Sequence, residues 1–531
     1  MQAKPQPLNT RTLKSWGDRL AVPAYDRGLV TPGVVHFGVG GFHRAHQAMY
    51  HDRLMNDGAP LDWGICGVGV LAADRPMRDA LDAQDGLYTL VLKHSDGTWE
   101  PRVIGSIVEY LFAPDDPEAV IEKMAAAPTR IVSLTITEGG YNISDVTGEF
   151  DAANPDVVRD LEPGAVPRTT FGLVTEALRR RRRRGLAPFT VMSCDNLQDN
   201  GRRSRRVFTT FARMRDPDLG DWVEREVRFP NSMVDRITPV TTDADRAEVR
   251  ERFGIEDRWP VVCEPYTQWV LEDAFTAGRP AYERAGVQVV DQVEPYELMK
   301  LRLLNGSHQA MCYFAYLSGY RLVHEAAQDP LFRAFLLGYM DEEATPTLAP
   351  VPGVDLGGYK HTLIERFCNP QVRDTVARLC AESSDRIPKW VLPVVRQQLA
   401  DGGQIRRSAA VVASWARYAE GVDEAGDPIE VVDRLRDSLT QRARRQRADP
   451  DAFIANREVF GDLAGDERFV TAYRAALASL HRRGARATLE SLALPRRGKG
   501  SANQDGHRPF SMIRSSVTTA ETSAAGVMSN A

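Results

Sequence analysis

No uninterrupted apolar run in the 531-residue chain is long enough to cross a bilayer. The first twenty residues, broken by Pro5, Pro7 and Asn9, hold no signal-peptide core. Together these absences predict a soluble, cytoplasmic protein with no membrane partner. A cationic field is lacking too: 67 basic residues face 72 acidic ones for a formal net charge of −5, so nucleic acid is not an expected partner. Cysteine is sparse. Cys66, Cys194, Cys263, Cys312, Cys368 and Cys380 are scattered through apolar surroundings without close pairs, as reduced, buried thiols are. No internal repeat is visible.

Hydrophobic residues make up 43% of the chain, too much for one core at this length, and two large domains are expected. In the first half the periodicity alternates. Val34–Val39 reads as a buried strand followed by a helix over Arg44–Met55, and Trp63–Val70 as a second strand with a helical stretch after Asp74. Strands are expected again at Leu87–Lys93, Arg130–Thr137 and Phe189–Cys194, with helices at Pro117–Ala125, Thr169–Arg184 and Arg202–Arg213. The result is an α/β fold, a largely parallel sheet covered by helices. From Pro295 the pattern turns helical, through Tyr296–Leu317, Asp329–Met340, Lys360–Arg366, Gln371–Ala381 and Ser408–Tyr418. A boundary near residue 290 therefore divides a nucleotide-binding domain (1–290) from a mainly α-helical one (291–494). Residues 495–531, rich in Ser, Ala, Thr, Gly and Arg, are expected to form a disordered tail. The six arginines Arg179–Arg184 before Gly185 read as the solvated end of a helix, where cations are favoured and glycine stops the turn.

Gly38-Val39-Gly40-Gly41-Phe42-His43-Arg44 lies between the first strand and its helix, where a glycine-rich turn lets backbone N–H groups approach a pyrophosphate. The fingerprint is imperfect, because His43 stands where a third glycine is usual. Asp74 is the first acidic residue after the second strand and suits the adenosine ribose, or equally a helix cap. Arg75 and Arg78 beside it suit a 2′-phosphate, which leaves both NAD and NADP open.

Lys300-Leu301-Arg302-Leu303-Leu304-Asn305-Gly306-Ser307-His308 places an amine, an amide and an imidazole in one amphipathic segment. Asn305 and His308 are three apart and Lys300 lies within the same broad face of a helix, although not on a perfect stripe. An ordinary buried helix with polar ends would look the same. Chemically, however, a lysine among apolar neighbours has its pKa lowered and acts as a base, while an amide N–H stabilises an alkoxide.

These stretches, with Thr135-Ile136-Thr137-Glu138-Gly139-Gly140-Tyr141 and Ser193-Cys194-Asp195-Asn196, resemble the polyol-specific long-chain dehydrogenase family, in motif order from about Leu8 to Leu494. The resemblance implies a Rossmann-type N-terminal domain, a mainly helical C-terminal domain and a small-molecule polyol or ketose bound between them. It implies zinc-independent interconversion of D-mannitol and D-fructose with NAD, by a monomer. Lys300 would match the general base, Asn196 and Asn305 the amides on the reacting oxygen, His308 an orienting imidazole and Glu297 a proton relay. Asp235, Arg378 and Arg386 would match contacts to further hydroxyls. At Asp385-Arg386-Ile387-Pro388 the chain departs from the family, which often has lysine in place of Arg386, so polyol preference is less fixed than reaction type. A fructuronate reductase (D-mannonate oxidoreductase) is the alternative within the family. A zinc enzyme using His43, His46 and His51 is disfavoured by their place in the nucleotide helix without a cysteine at ligand spacing. Outside catalysis, the alternative is a silent nucleotide-binding module.

Overall fold

Five short parallel strands organise the first half of the computed structural model, which describes residues 5–143 and 149–493. They are β1 (Pro32–Phe37), β2 (Gly64–Gly69), β3 (Ile107–Phe112), β4 (Ile131–Leu134) and β5 (Thr190–Ser193), in the spatial order β3-β2-β1-β4-β5. β1 pairs with β2 and β4, β2 with β3, and β4 with β5, every pair parallel. This is the doubly wound order that leaves a crevice at the carboxyl ends of the strands where the order reverses, beside β1 and β4. Successive side chains on a strand face opposite ways. Val35, Phe37, Val132 and Leu134 accordingly pack with Phe171, Phe208 and Phe211 on one face. Val34, Ile65 and Ile131 pack with Tyr50 and Trp269 on the other. Burial on both faces is why β2, β4 and β5 are buried throughout.

Several details differ from the sequence expectation. β3 is a strand that periodicity missed, because the middle of this edge strand is only partly buried and carries Glu109 and Tyr110. Tyr88–Lys93 is a strand but leaves the main sheet: it forms a hairpin with Trp99–Ile104, turning at Gly97 with φ +87°, and pairs in parallel with Val261–Cys263. The expected helix over Arg44–Met55 is two pieces, Gly41–Ala45 and Gln47–Asn56, broken at His46 (φ −123°, ψ −92°).

The second half is helical. Gly306–Leu317 is its central helix, with Ala310, Met311, Cys312, Tyr313, Phe314 and Ala315 all buried, and it packs against Arg406–Tyr418 and Pro330–Tyr339. A helix apolar on every side belongs inside a bundle. The helix expected over Gln371–Ala381 shrinks to Val376–Cys380, since Arg373 takes a left-handed conformation and Thr375 caps the helix at Arg378 N–H. The 27-residue helix Glu467–Ala493, broken at Gly484, was not anticipated. No described helix is long and apolar enough to cross a membrane. The expectation for 495–531 falls outside the described residues.

β1 ends at a glycine the fold cannot replace. Gly38 has φ +91°, and a Cβ there would sit 2.1 Å from the Thr135 carbonyl oxygen. Gly38→Ala is expected to destabilise the protein by roughly 2–4 kcal/mol in urea unfolding, from backbone strain plus the clash. An unchanged unfolding midpoint would contradict this account.

Candidate active site

The turn after β1 is locked from below. The Thr135 hydroxyl donates to the Gly38 carbonyl at 2.7 Å, and His36 places Nε2 3.0 Å from that hydroxyl and Nδ1 2.8 Å from Ser133 Oγ. At Gly40 a Cβ would meet nothing closer than the Gly38 carbonyl oxygen at 3.9 Å, so the turn opens where a pyrophosphate would lie. Val39 is buried over β2, where a Cβ on Gly67 would come within 2.7 Å of it, and Phe42 stacks on His46 at 4.9 Å. His43, in the place of the third glycine, stacks on His36 with centroids 3.4 Å apart. Ring stacking thus replaces the close helix–sheet approach that glycine gives elsewhere, and burial holds the His43 pKa well down, so the ring is neutral. The Arg44 guanidinium turns away from the turn, donating to the Trp259 carbonyl and lying 5.2 Å from the Tyr88 ring centroid. This side chain is built into the neighbouring sheet and does not face the crevice.

Asp74 folds back onto the end of β2, with Oδ2 accepting from the Val70 and Leu71 N–H groups at 2.9 Å each. Arg75 and Arg78 both bond Asp115 and lie over the Phe112 ring.

Glu294–Met299 runs into Gly306–Leu317 through a π-helical segment, Lys300–Asn305, where Gly306 N–H reaches back to the Leu301 carbonyl. Bonds spanning five residues bring positions five apart onto one face. A regular α-helix would set Lys300 and Asn305 about 140° apart, and the wider π turn brings the two positions closer to one face. Lys300 is 6% exposed and donates to Asn196 Oδ1, on the loop after β5. Burial lowers its pKa from the usual lysine value; Asp235 and Glu297 oppose this and Arg366 adds to it. Burial also raises Glu297, to about 7, while its Oε1 accepts the Asp199 N–H at 3.0 Å. Asn305 Oδ1 and His308 Nε2 are buried without a partner among the described protein groups. Burial and Arg378 bring His308 down to about 3, which makes it a neutral ring, packed 4.6 Å from Phe367.

Two residues that the sequence did not single out organise the floor. Arg366 reaches across from Leu356–Phe367 and grips both oxygens of Asp235 (2.8 and 2.9 Å) and both of Glu264 (2.9 and 2.7 Å), all of them buried. Burial would push Asp235 up, yet Arg366 holds it below its ordinary value; burial leaves Glu264 raised. The one signal available was Arg366 sharing a helical face with Tyr359 and Leu363, an arginine inside an apolar stripe. Arg378 chelates Asp374, and Arg386 donates to the carbonyls of Arg378 and Leu379 (2.9 and 3.1 Å). The histidines weighed as zinc ligands are separately engaged: His46 with the Gln268 carbonyl, His51 with the Trp63 carbonyl and Tyr282, and His43 on His36. A deprotonatable amine, unpartnered polar atoms and a net-negative floor suit proton transfer to and from a neutral hydroxylated molecule.

Comparison with known proteins agrees with this arrangement. Residues 32–284 match the model of the mannitol dehydrogenase Rossmann domain and residues 292–481 that of the mannitol dehydrogenase C-terminal domain. A mannitol 2-dehydrogenase of Aspergillus fumigatus is 48% identical over 496 residues, covering 91% of this chain and 99% of that protein. Among solved structures, the Pseudomonas fluorescens mannitol 2-dehydrogenase ternary complex with NAD and D-mannitol is 46% identical, with a TM-score of 0.84 over 92% of this chain and 99% of the other. A substrate-free D-sorbitol dehydrogenase is 37% identical at the same TM-score, over 91% and 100%. With both domains matched in order and nearly the whole length aligned, the chain belongs to the mannitol dehydrogenase family.

Proposed function

We propose that this enzyme interconverts D-mannitol and D-fructose with NAD, and that Lys300 moves the proton. The observation that carries the reading is the buried Lys300 amine donating to Asn196, with the buried, unpartnered Asn305 and His308 further along the same helical stretch. NAD bound at the Gly38–Gly41 turn supplies the hydride acceptor. Neutral Lys300 takes the hydroxyl proton, the Asn196 and Asn305 amides donate to the oxygen as charge develops, and His308 orients the polyol. Glu297, which holds a proton up to about 7, passes protons between Lys300 and solvent. Asp235 receives a further hydroxyl, with Arg378 and Arg386 at the far end.

Charge favours a neutral polyol over a hexuronate. Arg366 is answered by two carboxylates and Arg378 by Asp374, so neither guanidinium is offered alone to a substrate carboxylate, and Arg386, the cation a hexuronate would call on, turns its Nη1 to the Arg378 and Leu379 carbonyls. The same reasoning favours NAD over NADP. Arg75 and Arg78 are already on Asp115, and the Asp74 carboxylate would repel a 2′-phosphate.

Nicotinamide reduction is expected with D-mannitol and NAD, fast relative to NADP, and absent with D-mannonate; turnover confined to D-mannonate would overturn the substrate. Lys300→Ala should lower kcat by about 10²–10⁴-fold while NAD binding, followed by fluorescence titration, persists. Because oxidation needs the unprotonated amine, whose pKa burial lowers, its rate should climb with pH through a range below that of an ordinary lysine, and ketose reduction should fall over the same range. Parallel pH profiles in the two directions would remove Lys300 from the role of base.

A further inference from the structure

Asp195, next to Asn196, has no part in the scheme above, yet its carboxylate is one of the most heavily bonded groups near the crevice. Oδ1 accepts the Thr137 N–H at 2.8 Å; Oδ2 accepts the Tyr141 hydroxyl at 2.7 Å and the Ile136 N–H at 3.3 Å. Its own backbone is fixed as well, with the carbonyl receiving Asn200 Nδ2 at 3.0 Å and the N–H meeting Ser193 Oγ at 3.3 Å. Burial raises the carboxyl and the donors around it oppose that shift, leaving it at about 6.

The loop it grips is strained. Thr137 has φ +63° and ψ 170°, a conformation that a β-branched residue avoids and glycine adopts freely. Such a conformation persists only where its surroundings over-determine it, and Asp195 bonds the Thr137 N–H directly. One end of the loop, Thr135, touches the nucleotide turn through Gly38; the other end, through Asp195, meets the residue that contacts Lys300.

We propose that Asp195 is a positioning residue, clamping the Thr135–Tyr141 loop so that Asn196 stands at a fixed place relative to the nucleotide turn and Lys300. The proposal rests on the reading of Asn196 and Lys300 given above. The Thr135 end is held independently, by its N–H on the Phe37 carbonyl, so loss of the clamp should leave the nucleotide turn intact.

Asp195→Asn keeps the shape but cannot accept from all three donors. It is expected to lower kcat for mannitol about 10- to 100-fold, with NAD affinity within about twofold and little change in Tm. Adding Thr137→Gly, which removes the strain that the clamp opposes, should recover at least about threefold of the loss, an effect that a purely structural role would not give. If Asp195→Asn does not fold, Tyr141→Phe removes one donor to the same carboxylate, with a loss in kcat of about three- to tenfold expected. Failure of the unaltered enzyme to oxidise any polyol would overturn the underlying reading. An active unaltered enzyme with Asp195→Asn at full kcat, or with no recovery on adding Thr137→Gly, would overturn the clamp.

Discussion

One cation buried between two carboxylates fixes the relation of the two halves of this protein. Arg366 belongs to the helical half, while Asp235 and Glu264 belong to the half built on the parallel sheet. Removing one partner from such a group typically costs about 3–5 kcal/mol, since the charges left behind stay buried and unanswered. The group does more than join two surfaces. Its charges also reach Lys300, whose pKa burial lowers, with Asp235 opposing that shift and Arg366 adding to it. Docking of the halves and basicity of the amine are therefore set by the same atoms, and a change in either would be felt in the other.

Neutral polar groups dominate around that charge. His36, His43, His46 and His308 are all buried and held well below the usual histidine range, with burial as the main cause in each. They act as rigid rings that stack and hydrogen-bond without adding positive charge near the floor. With Arg366 answered by Asp235 and Glu264, and Arg378 by Asp374, the site is suited to a substrate that is itself uncharged.

The sheet was legible in the sequence where burial is two-sided: β1, β2, β4 and β5 read as short apolar runs because no side of them meets water. β3, partly exposed at the edge, lacks that signature. The Tyr88–Lys93 strand was visible as a strand but not as a member of another sheet, since its parallel partner Val261–Cys263 lies far along the chain. In the site, Lys300, Asn305 and His308 stood out by type and spacing, while Asn196, Asp235, Arg378 and Arg386 came from family resemblance. Arg366 and Glu264 were silent because their meaning lies in a contact across 102 residues, which no local pattern records. Nor does the sequence announce the π-helical segment, which shows only as backbone bonds reaching one residue further than usual.

That segment makes the helix sensitive to its own phase. Each residue advances an α-helix by about 100°, so the same residues rewound as a regular α-helix would set Lys300 and Asn305, five positions apart, about 140° from each other. Such rewinding would turn everything on the N-terminal side against everything on the C-terminal side. Glu297 and Lys300 would swing out of alignment with Asn305 and His308 although all four side chains were still present. The extra residue in the turn acts as an angular offset between two groups of side chains, and a helix of better local geometry would be the one that no longer brings them together.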